Sequence, residues 1–269
     1  MIFQLFPPKN LVLLLFLQVT VLWTVNPAYA QDSKGNASAP PEDRPTLTRA
    51  INIDEASVIN SIYIVGSIDN DFSQGHLINL EGEGLFRLAK DWGLDITFPQ
   101  VILQQPLGQG GAALGPIGGG LRYVFAKFRN RDADSMGVFS IQAQASYWAT
   151  PNDQFDGVGS NYTLQGLAGV RWGWFYVQGN YGYNGGFDSK FQDVWFANSA
   201  LGYALSAHWA LQVEADYSGF FIPGGLEGEW QMVPQLGFKT DGWLLEAGVA
   251  FNPSQTGTST DFIIEKDLF

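Results

Sequence analysis

Residues 209–218 read Trp209-Ala210-Leu211-Gln212-Val213-Glu214-Ala215-Asp216-Tyr217-Ser218. Trp209, Leu211, Val213, Ala215 and Tyr217 occupy one set of alternate positions and are apolar throughout. Ala210, Gln212, Glu214, Asp216 and Ser218 occupy the other set and are polar or small. Successive side chains of an extended chain point to opposite faces, so this period of two describes a strand with one oily and one wet face. Globular strands average about 5–6 residues, whereas a tilted strand that crosses hydrocarbon needs about 9–11. The stretch has the second length.

Working outward, the same design recurs. Phe139, Ile141, Ala143, Ala145 and Tyr147 oppose Ser140, Gln142, Gln144 and Ser146, and Trp243, Leu245, Ala247, Val249 and Phe251 oppose Glu246, Gly248 and Asn252. After His76, the polar set Asn79, Glu81, Glu83 and Arg87 opposes Leu80, Phe86 and Leu88. About twelve such segments are expected, at 58–67, 76–88, 92–104, 118–129, 136–149, 161–171, 173–183, 194–205, 209–220, 228–240, 243–252 and 260–269. The short joins fall at Ala89–Asp91, Arg171–Gly173, Ser206–His208 and Thr240–Gly242. The long ones fall at Gln105–Ile117, Thr150–Ser160, Asn184–Asp193 and Phe221–Glu227. Short and long joins largely alternate, with the Arg129–Ser135 join longer than the rule asks, as in a barrel with turns at one rim and loops at the other. The predicted fold is therefore all-β: a single antiparallel transmembrane β-barrel of about twelve strands over residues 57–269.

Aromatic placement agrees. Trp92, Trp172, Trp209 and Trp243 each stand beside a short join and are expected to form an interfacial girdle. Trp148, Tyr183, Trp195, Tyr217 and Trp230 lie near the opposite strand ends. The last segment fits least well, because Glu265 and Asp267 share parity with the terminal Phe269; a bulge, or a strand end beyond the hydrocarbon, would account for it. A terminal aromatic is also what the outer-membrane barrel assembly machinery recognises, which makes that machinery an expected partner along with outer-membrane lipid.

Residues 1–30 read as a secretory signal: Lys9, an apolar run from Leu11 to Val25, Pro27, then Ala28-Tyr29-Ala30, with cleavage expected after Ala30 and a mature start at Gln31. Residues 31–56 form a flexible linker or a short plug. The bacterial cell outer membrane is the expected destination. Across the whole chain there are 32 glycines, an aromatic fraction of 14% and no cysteine, which suits a turn-rich sheet and excludes disulfides and thiolate chemistry. A formal charge of −12 argues against nucleic acid as a partner.

Residues 76–129 resemble a known family. Glu81-Gly82-Glu83-Gly84-Leu85 leads to a short turn and to Trp92-Gly93-Leu94-Asp95-Ile96; Pro99, a Gly-rich loop from Gly108 to Gly120 and Leu121-Arg122-Tyr123 follow. This is similar to the outer-membrane transporter-like family labelled for the MetA pathway of phenol degradation. The family's usual Gly-Asp before the last strand is replaced here by Gly118-Gly119-Gly120. The resemblance implies an outer-membrane channel or transporter for small solutes, aromatic or apolar by the family's label.

If the apolar faces meet lipid, the polar faces line a lumen. Glu81, Glu83, Arg87, Asp95, Arg122, Arg171, Glu214, Asp216, Glu229 and Glu246 then point inward, as the path of a small-molecule solute or as ion pairs filling a structural barrel. An outer-membrane hydrolase is the remaining alternative. It would draw on His76 and nearby Ser73, or on His208 in a short turn, and neither pairing shows the one-face arrangement that a nucleophile and base need. No enzyme, cofactor or metal is expected. Asp69, Asn70 and Asp71, placed in a loop, lack the Gly and Glu spacing of a calcium loop.

Overall fold

The computed structural model describes residues 56, 58, 60–71, 75–99, 101–105, 111–130, 134–147, 160–187, 193–222, 225–252 and 258–268. The expected signal peptide and all of residues 31–55 lie outside them, as do Ser73, Trp148 and Phe269. Every regular element among the described residues is a strand: β1 Ser61–Asp71, β2 Gly75–Ala89, β3 Trp92–Thr97, β4 Val101–Gln105, β5 Gly111–Leu114, β6 Ile117–Asn130, β7 Ser135–Tyr147, β8 Asn161–Trp172, β9 Phe175–Gly186, β10 Val194–Ala204, β11 Trp209–Ile222, β12 Gly225–Thr240, β13 Trp243–Phe251 and β14 Thr258–Asp267.

All neighbours pair antiparallel, and β1 pairs with both β2 and β14, which closes the sheet on itself. Fourteen strands make twelve crossings, because β3 and β4 both lie along β2 and are two parts of one crossing. Their partners β6 and β5 likewise form one crossing. Thr97 faces Gly118 and Val101 faces Leu114 in the same register, which sets Pro99 opposite Pro116. Neither proline has an N–H to donate, so the ladder opens at that point on both crossings at once. Along β2, the steps from Glu83 to Leu80 match Thr97 to Val101, one residue more on the partner side, so the break also holds a bulge.

The alternation predicted from sequence is the alternation of the wall, with the sign of burial inverted relative to a soluble sheet. On β11, Trp209, Leu211 and Val213 are 45%, 47% and 43% exposed, whereas Gln212 and Glu214 are 4% and 0% exposed. β13 repeats the pattern over its whole length, with Glu246 buried between the exposed Leu245 and Ala247. Polar groups are withdrawn and oily groups face outward, which is stable only where the outer solvent is hydrocarbon. Closure is what makes this possible, since pairing of β1 with β14 removes the two long edges that an open sheet would expose to lipid.

Turn chemistry fixes the hairpins at one rim. Asp241 and Gly242 both have positive φ, 43° and 73°, between the paired residues Thr240 and Trp243. That is the two-residue turn whose twist matches the strands, and Gly at its second position meets no steric cost.

Several expectations are corrected. The first strand begins at Ser61, not near Val58. The predicted loop Gln105–Ile117 is partly strand, since β4 and β5 pair within it. Most of the predicted loop Phe221–Glu227 is strand, because β11 and β12 remain paired as far as Ile222 and Gly225. Both hairpins keep pairing beyond the span that periodicity marks. Asp69 and Asp71 belong to the end of β1 and not to a loop. In the last segment, β14 pairs with β1 over ten positions without a shift, so it holds no bulge. Asp261, Ile263 and Glu265 are buried while Ile264 is exposed, and Asp267 lies at the rim, 3.3 Å from Lys239.

The candidate solute path

The inner wall has three levels. The first lies at the short-turn rim, where the chain preceding β1 turns inward. The Arg87 main-chain N–H donates to Asn60 Oδ1 at 2.7 Å, and the Arg87 guanidinium donates twice to the Val58 carbonyl, at 3.1 and 2.7 Å. Val58 would lie 3.0 Å from a Cβ built on Gly93, so glycine there makes room for it. Ala56 and Val58 form one buried apolar cluster with Val124, Val138 and Leu167 on β6, β7 and β8. Those strands stand three to five places round the ring from β1. The segment therefore reaches across the lumen. Arg171 and Asp134, 3.6 Å apart, Lys127 and Asp91, 3.2 Å apart, and Lys239 and Asp267, 3.3 Å apart, pair at this rim.

The second level is an amide-rich band. Arg122, 1% exposed, donates to Asp95 at 3.0 Å and to Gln142 at 3.0 Å. Gln165 donates to Gln142 at 3.1 Å, Asn180 to Gln165 at 2.9 Å, and Gln144 to Thr97 at 2.6 Å. The last bond passes across Gly118 and Gly120 on β6; a Cβ on Gly120 would lie 2.6 Å from the Ala143 carbonyl oxygen. On the other wall the Tyr176 ring lies over Gly202, and its hydroxyl donates to Gln212 at 3.0 Å. Gln212 in turn donates to Gln235 and, at 3.1 Å, to Glu246, while Gln235 donates to Glu214 at 2.6 Å. Between these polar arcs sits an apolar patch of Tyr63, Val233, Ala250 and Ile263.

The third level lies toward the long-loop end. Gln231 donates to Asp216 at 3.2 Å, Asn252 to Glu229 at 3.1 Å, and Ser259 to Asp261 at 2.6 Å. A cavity of about 320 Å³ opens here, bordered by Phe196, Asn198, Asp216, Glu229, Gln231 and Asn252.

The structure distributes the sequence-predicted site residues over these levels instead of gathering them. Arg87 and Arg171 belong to the rim; Asp95, Arg122, Glu214 and Glu246 to the band; Asp216 and Glu229 to the outer level. Glu81 and Glu83 are half-buried on β2, opposite Val65 and Tyr63. Sequence reasoning named the charges and passed over Gln142, Gln165, Asn180, Gln212 and Gln235. Shared parity with the named charges was the signal that could have found them. Trp92, Trp172, Trp209 and Trp243 are exposed beside the short turns, with Tyr123 and Phe238 rings 4.7 Å from Trp92 and Trp209. At the other end, Tyr181 and Tyr183 lie 5.8 and 5.0 Å from Trp195. Trp230 is exposed near the same end, and Tyr217 borders the cavity. His208 lies in an exposed turn with Nδ1 2.9 Å from the Lys239 carbonyl, and His76 pairs through its backbone at the start of β2.

No protein-family model matches the chain, and no curated protein does. Solved structures are similar to it. The COG4313 outer membrane channel from Pseudomonas putida F1 is 11% identical, with a TM-score of 0.55 over 86% of this chain and 100% of that one. The NanC porin is 8% identical, with a TM-score of 0.53 over 77% of this chain and 100% of that one. At such identities the likeness shows the fold. The chain has the fold of a bacterial outer-membrane β-barrel.

Proposed function

We propose that this barrel is an outer-membrane channel for small solutes, with a lumen of acidic bias at its loop end. The observation that carries the reading is that the described inner-face cations are confined to one end of the wall, while carboxylates occur along its whole length. Among the described residues, the inner-face cations Arg87, Arg122, Lys127, Arg171 and Lys239 all stand in the short-turn half, while Asp69, Asp216 and Glu229 stand toward the loops. A solute entering from the loop side would meet carboxylates first, and a low-dielectric wall focuses their field on cations. The amides of the band can donate to and accept from a neutral solute. The apolar or aromatic solutes implied by the family resemblance find support only in the patch around Tyr63 and Val233.

A second reading has its own observation. Ala56 and Val58 pack against Val124, Val138 and Leu167, which supports the plug that the sequence left as an alternative to a flexible linker, and a barrel whose lumen is shut at the short-turn end. Planar-bilayer recording on the full mature chain decides between them. Cation-selective open events that lose selectivity in Asp216→Asn with Glu229→Gln support the channel; a silent bilayer with correctly folded protein leaves the structural barrel.

A further inference from the structure

We propose that the cavity at the loop end is a binding site for a small organic ammonium ion, the first station of the path; this rests on the channel reading above. Its lining is mixed. Phe196 supplies an aromatic ring, Asn198, Gln231 and Asn252 supply amides, and Asp216 and Glu229 supply carboxylates. Among the described residues no lysine or arginine borders it.

Local structure places each group. Asp216 and Glu229 share inward parity with the buried Glu214 and Gln235 on the adjacent strands β11 and β12, so both carboxylates face the same lumen wall. Each is oriented by an amide, Asp216 by Gln231 at 3.2 Å and Glu229 by Asn252 at 3.1 Å. The Phe196 ring lies on the inner wall over Gly182 of β9, where a Cβ would come within 2.5 Å of its Cζ. Glycine at 182 thus lets the ring lie back against the wall instead of spanning the space. Aromatic ring, paired carboxylates and amide groups are the elements that recognise an ammonium attached to a short organic body. A volume of about 320 Å³ is at the small end of ligand pockets, room for a compact amine and not for a chain of sugars. The described cations of the inner face lie below this level, with Arg122 paired to Asp95 at 3.0 Å, so none of them competes with an ammonium ion held here.

The test is isothermal titration of the detergent-solubilised full mature chain with three probes of one shape: phenethylammonium, phenethyl alcohol and 3-phenylpropionate. Saturable binding of the ammonium, with the alcohol about fivefold weaker or worse and the carboxylate silent, is expected. Glu229→Gln, at an exposed position where packing is undisturbed, and Asp216→Asn should each weaken the ammonium several-fold. Phe196→Leu should cost about two- to fivefold. Equal binding of alcohol and ammonium, or unchanged binding in both carboxylate variants, overturns the site. Conductance is measured separately: binding without conductance removes the channel and keeps the site, and conductance without ammonium binding does the reverse.

Discussion

Val213→Arg tests the assignment of the oily face. Val213 lies four residues beyond Trp209 at the rim and is 43% exposed on the outer wall. With a rise of ~3.4 Å per residue and a tilt of ~40°, four residues climb about 10 Å above the girdle. The apolar band of such barrels is about 25 Å tall, so Val213 sits close to the midplane. A guanidinium there costs about 2–4 kcal/mol, roughly a 30- to 700-fold shift of the folding equilibrium. Leu205→Arg, in the exposed 205–208 turn, should cost at most about 1 kcal/mol, because an arginine near the interface reaches water and headgroups. Guanidinium titration of the protein reconstituted in lipid vesicles, followed by tryptophan fluorescence, measures both. If Val213→Arg and Leu205→Arg are equally mild, or if Val213→Arg yields a folded protein that stays dissolved without detergent, the outer wall does not face hydrocarbon and the reasoning fails.

Three further outcomes follow from the inner wall. Arg122→Ala leaves the buried Asp95 carboxylate without its ion pair and should cost about 3–5 kcal/mol in the same titration, while Arg122→Met with Asp95→Asn should recover most of the loss. Gly120→Ala drives a methyl against the Ala143 carbonyl and Gln144, and should destabilise by about 1–3 kcal/mol; a neutral result would mean that β6 and β7 are further apart than described. Val58→Asp places a carboxylate in the apolar cluster with Val124, Val138 and Leu167, so the crossing segment should release and single-channel conductance should rise. An unchanged conductance would show that Val58 does not obstruct the path.

Strands were legible because parity and length are local properties: the run around Trp209 needs no partner to reveal its two faces. Which inner residues meet across the wall depends on register and stagger, and these are properties of pairs. The bond from Gln144 to Thr97 exists because Gly118 and Gly120 stand between their strands, and no single segment announces it. The facing of Pro99 and Pro116 became visible only once their strands were aligned. Val58 misled for a related reason. Val58 and Ile59 form an apolar pair close ahead of β1, yet the Val58 carbonyl is bound by Arg87, 29 positions later in the chain, and the residue turns inward before the strand begins.

The ring shuts where β14 meets β1, the last described strand against the first, through ten facing residues. Closure therefore waits on the last hairpin. Until residues 258–267 have inserted, both β1 and β13 are bare seams whose amides and carbonyls would each cost several kcal/mol in lipid. A wall short of that hairpin has no stable resting state in the bilayer, and whatever escorts it must shield two rows of backbone groups on opposite borders of one curved sheet.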